Sequence, residues 1–215
     1  MHTKSPSDAA VIYVVDDDIS MRESLVDLFR SIDFEAQAFG SPDEFLTKAD
    51  LERPGCLVLD VRLPRVSGIE FQAQLDRAGN RLPIVFMTGH GDISMSVRAM
   101  KAGAVDFLTK PFRDQDLLDA VIVAIKRDTQ RRREVARNED ASMRFGILTS
   151  REREVMDLVV EGLMNKQIAF QLGISEITVK LHRGNLMRKM EVRSVPELVR
   201  LAQQIHGALA SVAKH

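Results

Sequence analysis

Four candidate strands in the first half of the chain each lead into polar residues that can bind a phosphoryl group. The candidate strands are residues 11–15, 56–59, 83–87 and 106–109. The polar residues that follow them are Asp16, Asp17 and Asp18, then Asp60, then Thr88, and finally Lys110. In parallel sheets covered by helices, ligands lie beyond the carboxyl ends of the strands, so we expect these side chains to converge at one edge.

The aspartate cluster points to a metal. Several carboxylates close together repel one another strongly unless a cation lies among them. Oxygen ligands without a partnering His or Cys favour Mg²⁺, which typically takes one or two carboxylates plus phosphoryl oxygens. An isolated Asp-Asp-Asp sequence can instead be a plain solvated turn, but the convergence of four strand ends favours the metal.

The other residues at this edge have matching chemistry. Lys110 offers a fixed positive charge for phosphoryl oxygens, and Thr88 offers a hydroxyl donor. Asp60 ends the most central apolar run and is the expected nucleophile, forming an aspartyl phosphate. The edge is therefore predicted to accept a phosphoryl group.

Strands and helices alternate through the first half of the chain. Strands are predicted at residues 11–15, 56–59 and 83–87, which are short apolar runs rich in β-branched residues, and also at residues 35–39 and 106–109. Helical spacing is found at residues 21–31, 41–51, 67–77 and 93–102, and from 113 onward. This alternation indicates an α/β fold with a doubly wound, five-stranded parallel sheet. From residue 148 onward only four helix-length segments are found, which predicts an all-α domain.

Charge is divided unevenly along the 215 residues. Residues 1–125 contain 13 Lys and Arg against 20 Asp and Glu, a net charge of −7, whereas 126–145 and 146–215 each carry +3. An acidic front and a basic rear suggest that the rear meets a polyanion. We predict an N-terminal tail at 1–10, an α/β domain at 11–125, a helical linker at 126–145 and a helical domain at 146–215.

Composition also limits the compartment. No apolar stretch approaches the ~18 residues that span a bilayer, and residues 1–7 lack the pattern of a secretion signal, so we expect a cytoplasmic protein without membrane attachment. The lone Cys56 excludes an internal disulfide and fits a reducing compartment, and a buried apolar role is the favoured interpretation. Residues 131–133 are three arginines, either a solvated linker face or a DNA contact.

Residues 10–125 resemble the receiver domains of two-component response regulators. The resemblance lies in the motifs around Asp16, around Asp60 up to Pro64, around Thr88 up to His90, and at 110–112. It implies phosphorylation on Asp60, Mg²⁺ held by Asp16, Asp17, Asp60 and the backbone carbonyl of Arg62, and phosphoryl contacts from Thr88 and Lys110. It also implies a cis peptide before Pro111 and a switch that couples Thr88 to the packing of Phe107.

The rear of the chain has the helix caps and the turn residue of a helix-turn-helix. Thr149 and Glu152 have the spacing of a capping box. Gly173 lies between two helical stretches, where a tight turn needs positive φ, and Ser175 is placed to cap the next helix. Helix, short glycine-containing turn and helix is the pattern of a DNA-binding motif.

A helical wheel from residue 176 to 190 predicts which side of this helix reaches DNA. The inward residues are Val179, Leu186 and Met190, and the outward residues are Ile177, Lys180, Leu181, Gly184 and Arg188. Lys180 can donate to guanine, and Ile177 and Leu181 can meet thymine methyl groups. Phosphate contacts are expected from Arg183, Arg188, Lys166 and Thr178.

Residues 145–205 resemble the LuxR/NarL type of DNA-binding domain, and the whole chain resembles a FixJ-like response regulator of the NarL group. This implies a sensor histidine kinase, double-stranded promoter DNA and RNA polymerase as partners, and a homodimer formed on phosphorylation. It also implies that the receiver catalyses only its own phosphorylation and dephosphorylation. Gly184 stands where the family often has a longer side chain. The alternative is a phosphorelay carrier whose helical domain binds protein.

Overall fold

A computed structural model of the chain describes the backbone of residues 9–89 and 93–212, with side chains up to Ile205. The chain divides into two compact units, Met1–Arg132 and Arg133–His215. The strands are β1 (Val11–Val15), β2 (Glu35–Phe39), β3 (Gly55–Asp60), β4 (Ile84–Thr88) and β5 (Asp106–Thr109). They pair in parallel in the order β2-β1-β3-β4-β5, so the predicted doubly wound sheet is confirmed, with β3 at its centre.

A helix follows each of these strands, and helices form the second unit over its described residues. The helices are α1 (Ile19–Arg30), α2 (Pro42–Lys48), α3 (Gly68–Arg77), α4 (Ile93–Lys101), α5 (Asp114–Gly146), α6 (Ser150–Val160), α7 (Asn165–Leu172), α8 (Glu176–Lys189) and α9 (Val195–Val212). The division between the two units falls within α5, which includes residues 126–145. None of the described helices combines the length and apolarity that crossing a bilayer requires.

One face of the sheet is covered by α2, α3 and α4. On this face Tyr13, Leu57 and Phe86 pack with Phe45 of α2 and Phe71 of α3, and all five side chains are fully buried. Because helices cover both faces of the sheet, β1, β3 and β4 are buried throughout and consist of nearly continuous apolar residues rather than alternating ones.

The opposite face is covered by α1 and α5. Val58 and Met87 pack there with Phe29 of α1 and Leu117 of α5, and the buried Cys56 belongs to the same cluster. The thiol therefore has the buried apolar role that the sequence favours.

The first helix begins two residues earlier than predicted because Asp18 caps it. Its carboxylate accepts hydrogen bonds from the backbone N–H groups of Ser20 and Met21, at 2.8 and 3.3 Å. A side-chain cap of this kind satisfies backbone donors at the start of a helix. The third aspartate of the cluster thus has a structural role.

The second helix ends three residues earlier than predicted because the segment after it is held extended. Ala49 leaves the helix with ψ of 137°. The hydroxyl of Tyr13 donates to the carbonyl of Asp50, and Arg132 donates to the carbonyl of Leu51 at 2.8 Å. Contacts with distant parts of the chain therefore set this boundary.

A buried carboxylate ties α5 to the start of the central strand. Asp128 is fully buried and accepts hydrogen bonds from the backbone N–H of Gly55 at 3.0 Å, from Arg131 at 2.6 Å and from Arg132 at 2.7 Å. Arg132 also donates to the carbonyl of Glu52 at 2.6 Å. Arg131 and Arg132 therefore bind the first unit itself, a role that neither the solvated-face nor the DNA-contact interpretation anticipated.

The second unit is all-helical over its described residues, as predicted. Val155, Ile168, Val179, Leu186 and Leu198 form part of a core shared by α6, α7, α8 and α9. Its local signals are those expected from the sequence, since the capping box at the start of α6, the left-handed glycine after α7 and the serine cap of α8 are all present.

Candidate functional site

Three carboxylates meet at the carboxyl edge of the sheet. Asp60 is the last residue of β3, and Asp16 directly follows the neighbouring β1. Asp60 and Asp16 are 6% and 1% exposed, whereas Asp17 is exposed. Carboxylate oxygens of Asp16, Asp17 and Asp60 all lie within 4.8 Å of one another. The predicted acidic cluster is thus brought together.

Lys110 provides the positive charge of this site. Its Nζ lies 2.6 Å from Oδ2 of Asp16 and 3.4 Å from Oδ1 of Asp60. The Asp60 atom is buried and has no hydrogen-bond partner of suitable geometry. The Lys110 backbone N–H donates to the carbonyl of Thr88 at 2.7 Å, and the peptide bond before Pro111 is cis. The end of β4 therefore fixes the position from which Lys110 reaches the carboxylates.

The ionisation of these groups is perturbed. Burial raises the pKa of Asp60, and the charges of Asp16 and Asp17 add to this effect, while Lys110 opposes it without cancelling it. Burial by itself would lower the pKa of Lys110, but the hydrogen bond from Lys110 to Asp16 and the negative charges of Asp16 and Asp60 leave it raised. Lys110 is therefore stabilised in its charged form, whereas the neighbouring carboxyl group of Asp60 ionises less readily than usual.

Thr88 and Phe107 lie on adjacent strands near the same edge. Thr88, the last residue of β4, is fully buried, and Phe107 on β5 is half-buried. The Phe107 ring lies 6.2 Å from that of Phe86, its partner in register on β4. Arg62, two residues beyond Asp60, is exposed, and His90 lies outside the described residues.

Two features close to the site were missed by the sequence reasoning. A Cβ on Gly68 would lie 2.5 Å from the carbonyl oxygen of Asp60, so α3 can begin against the end of β3 only with a glycine there. Arg22 of α1 donates to the carbonyl of Asp16 at 2.7 Å. Ser67 before this glycine is a visible cap signal for the start of α3, but the close approach depends on the tertiary fold.

The second candidate surface is the outward side of α8. Val179, Leu186 and Met190 are fully buried, whereas Ile177 and Leu181 are 80% and 62% exposed, as the helical wheel predicts. The outward side of α8 therefore offers apolar as well as polar side chains to a partner.

The polar candidates surround these apolar residues. Lys180, Arg188 and Lys166 are exposed, and Thr178 is partly buried against the cap residue Ser175. The two arginines of this region both donate hydrogen bonds to neutral side chains. Arg183 donates to Asn165 at 2.8 Å, and Arg188 donates to Asn185 at 3.0 Å. A Cβ on Gly184 would meet no atom within 4 Å, so this position lies open on the helix surface.

A buried ion pair fixes α8 against α6. Glu152, 3% exposed, accepts a hydrogen bond from Nζ of Lys189 at 2.7 Å and also completes the capping box with Thr149. Burial would raise the pKa of Glu152, but Lys189 and Thr149 outweigh it and lower the pKa. The sequence revealed the cap, whereas the ion pair spans 37 residues and has no local signal.

The two units define a regulatory protein with a phosphoryl-accepting α/β unit and a helix-turn-helix unit. Residues 12–122 match the model of the response regulator receiver domain, and residues 146–202 match that of the bacterial regulatory proteins, luxR family. The chain belongs to the response regulators of the NarL/FixJ family.

Relatives match along nearly the whole chain. Nodulation protein W of Bradyrhizobium diazoefficiens is 52% identical over 204 residues, covering 95% of this chain and 89% of the relative. Among solved structures, response regulator StyR is 49% identical with a TM-score of 0.84, covering 91% and 99% of the two chains. Full-length FixJ from B. japonicum is 40% identical with a TM-score of 0.56, covering 93% and 98%.

Membership in this family establishes the general function. The protein is a phosphorylation-dependent transcriptional regulator, with a sensor kinase and DNA as partners. The alternative of a phosphorelay carrier with a protein-binding rear is not favoured, because the rear matches a DNA-binding family. Receiver domains generally bind Mg²⁺ in an acidic pocket, and Asp16, Asp17 and Asp60 form such a pocket here.

Proposed function

We propose that Asp60 receives the phosphoryl group from a phosphohistidine of a sensor histidine kinase. The observation that carries this assignment is the buried Oδ1 of Asp60, which has no hydrogen-bond partner while the Lys110 ammonium lies 3.4 Å away. A buried acceptor without a donor is costly in a purely structural role. An oxygen in this position is instead suited to bond formation.

The transfer is a displacement at phosphorus. A carboxylate oxygen of Asp60 forms a bond to phosphorus, and the bond to the histidine nitrogen breaks, with its electron pair leaving on the imidazole. The positive charge of Lys110 offsets negative charge on the phosphoryl oxygens, and its three N–H donors can bind them. Hydrolysis by water later returns the carboxylate and inorganic phosphate. We propose that the chemistry of the receiver is confined to these two reactions, so the protein is not an enzyme acting on other substrates.

Asp16, Asp17, Asp60 and the backbone carbonyl of Arg62 would hold Mg²⁺. The donor set fits this ion, because three carboxylates offer oxygens within 4.8 Å of one another and no histidine or cysteine belongs to the group. Bound Mg²⁺ supplies positive charge that draws carboxylate and phosphoryl oxygens together. One carboxylate oxygen of Asp16 accepts a hydrogen bond from the backbone N–H of Asp18, at 2.9 Å, and this bond fixes the orientation of the carboxylate.

The switch couples Thr88 to Phe107. The hydroxyl of the buried Thr88 would contact the phosphoryl group, and the Phe107 ring would then pack further inward. The half-buried state of Phe107 supports this role, because the ring retains surface that can still be buried. Phenylalanine has no hydroxyl, so the state is communicated by packing alone.

DNA would be bound by a homodimer that forms on phosphorylation and acts on RNA polymerase at a promoter. A single helix-turn-helix makes few base contacts, and dimers reach affinity by binding two half-sites. The contacts would come from α8 and its neighbours. Lys180, Ile177 and Leu181 would face bases, Lys166, Thr178, Arg183 and Arg188 would hold phosphates, and the open Gly184 would allow close approach.

Labelling and DNA binding of the full-length protein test this function together. With acetyl phosphate and Mg²⁺, wild-type protein should become labelled and bind selected genomic fragments more tightly, while Asp60→Asn should do neither. Asp33→Asn is a matched control, because Asp33 is exposed with φ of 63°, a conformation that asparagine also adopts. Stoichiometric labelling of Asp60→Asn would exclude this site assignment.

A further inference from the structure

One exposed ion pair lies at the start of α8, at the border of its outward side. Nζ of Lys180 is 3.5 Å from Oε1 of Glu176, one helical turn earlier, and the two side chains are 63% and 48% exposed. Ile177 and Leu181, the residues directly after Glu176 and Lys180, are also exposed. Glu176 therefore borders the surface that the proposed function brings to DNA.

This pairing distinguishes Lys180 from the other cations of that surface. Arg183 and Arg188 donate to the neutral amides of Asn165 and Asn185. Within the described residues, Lys180 has a carboxylate within ion-pair distance, and the other cationic candidates Lys166, Arg183 and Arg188 have none. The charge of Lys180 is partly offset before any DNA arrives.

A carboxylate at this place is unfavourable for indiscriminate DNA binding. Phosphates repel Glu176, and a Lys180 that moves to a phosphate leaves the carboxylate without its partner in a negative field. Base edges can satisfy both groups: guanine accepts from lysine at O6 and N7, and cytosine donates from N4 to a carboxylate. The unfavourable interaction of Glu176 with DNA is therefore relieved only by a DNA sequence that offers such bases.

We propose that Glu176 is a specificity-determining residue that restrains Lys180 from phosphate contact and itself reads a cytosine. The proposal rests on the proposed placement of α8 in the major groove. Four residues of helix rise about 6 Å, and base pairs are stacked every 3.4 Å. The guanine read by Lys180 and the cytosine read by Glu176 should thus lie no more than about two base-pair steps apart.

Binding titrations of full-length Glu176→Gln test the proposal under phosphorylating conditions. The probes are a duplex selected by wild-type protein from a randomised pool and a sheared random-sequence duplex. Glu176→Gln should bind the random duplex about fivefold more tightly, with a salt slope steeper by about one unit, because Lys180 is released to a phosphate. It should also lose its preference for cytosine at one position of the selected duplex.

Two further variants make the result decisive. Glu154→Gln removes a carboxylate from another exposed ion pair, that with Arg151 on α6, and should leave the ratio of the two affinities unchanged. In a Lys180→Gln background, Glu176→Gln should no longer raise binding to the random duplex, because it acts there through Lys180.

The possible failures can be told apart. Wild-type protein that does not discriminate between the two duplexes would overturn the proposed DNA readout itself. Wild-type discrimination that Glu176→Gln leaves intact would overturn only the role of Glu176. A gain in random binding that persists in the Lys180→Gln background would show general charge repulsion rather than restraint of Lys180, and would also overturn the proposal.

Discussion

Lys110 is hydrogen-bonded to Asp16, at 2.6 Å, and lies 3.4 Å from the nearer oxygen of Asp60. The two carboxylates thus share one cation unequally. Asp16 keeps it at hydrogen-bonding distance, whereas Asp60 receives only its longer-range attraction. The positive charge of Lys110 consequently offsets part of the effect of burial on the ionisation of Asp60, while no donor blocks the oxygen proposed to react.

Removing Lys110 should alter the pH dependence of phosphorylation. Burial already raises the pKa of Asp60, and Lys110 opposes this rise. Lys110→Met should therefore raise the pKa further, so that labelling by acetyl phosphate reaches half its maximum at a higher pH and proceeds more slowly. Lys110→Arg keeps the charge and should move the midpoint less. An unchanged midpoint in Lys110→Met would contradict this electrostatic role.

Asp17 and Asp18 should differ sharply despite being neighbours. Asp17→Asn should impair Mg²⁺-dependent labelling while leaving thermal stability equal or slightly raised, because it removes a carboxylate from a repulsive cluster. Asp18→Asn should label normally, since asparagine caps helices as well as aspartate does. Normal labelling of Asp17→Asn, or its marked destabilisation, would show that Asp17 has a structural role instead.

Lys180 and Arg188 should affect DNA binding in different ways. Lys180→Ala should cost about 1–3 kcal/mol on the best site and relax preference at one base pair. Arg188 lies two turns later, and Arg188→Ala should weaken all sequences similarly and reduce the salt slope by about one unit. Titrations on matched and singly substituted duplexes at several salt concentrations measure both effects. Uniform weakening by Lys180→Ala would mean that α8 enters the groove differently.

Asp128 should be essential to the stability of the first unit. Asp128→Ala leaves the buried N–H of Gly55 without an acceptor and the partly exposed Arg131 and Arg132 without their partner, which should cost about 1–3 kcal/mol. Asp119→Ala, at an exposed position of the same helix, should change stability by no more than about 0.5 kcal/mol.

Urea unfolding followed by tyrosine fluorescence measures this difference in the intact chain. Tyr13 is the single tyrosine, tryptophan is absent from the sequence, and the ring is buried in the first unit. The signal therefore reports that unit specifically. Equal midpoints for the Asp128 and Asp119 variants would show that the buried pair contributes little.

The sequence predicted well those features that depend on local residue type. Each strand lies within one residue of its predicted range, because apolar runs between polar residues leave little choice of register. The caps at Thr149 and Ser175 were equally visible. The convergence of Asp16, Asp60, Thr88 and Lys110 followed from the rule that parallel strands end at one edge.

Features set by distant contacts were not predictable. In the sequence, Asp128 is one of many charged residues in a polar helical segment. Its contact with Gly55, 73 residues away, forms only when the chain folds. The early end of α2 depends on Tyr13 and Arg132 in the same way. The pairing of Glu176 with Lys180 had a visible spacing of four, but on an exposed helix that spacing alone is common.

The burial of Cys56 gives the protein a built-in chemical reporter. Its thiol has no exposed surface, and burial together with the nearby charge of Asp128 raises its pKa. The reactive form is the thiolate, so folded protein should resist both oxidants and alkylating reagents. Because the chain has no other cysteine, the slow alkylation of native protein by iodoacetamide would measure how often the centre of the sheet opens.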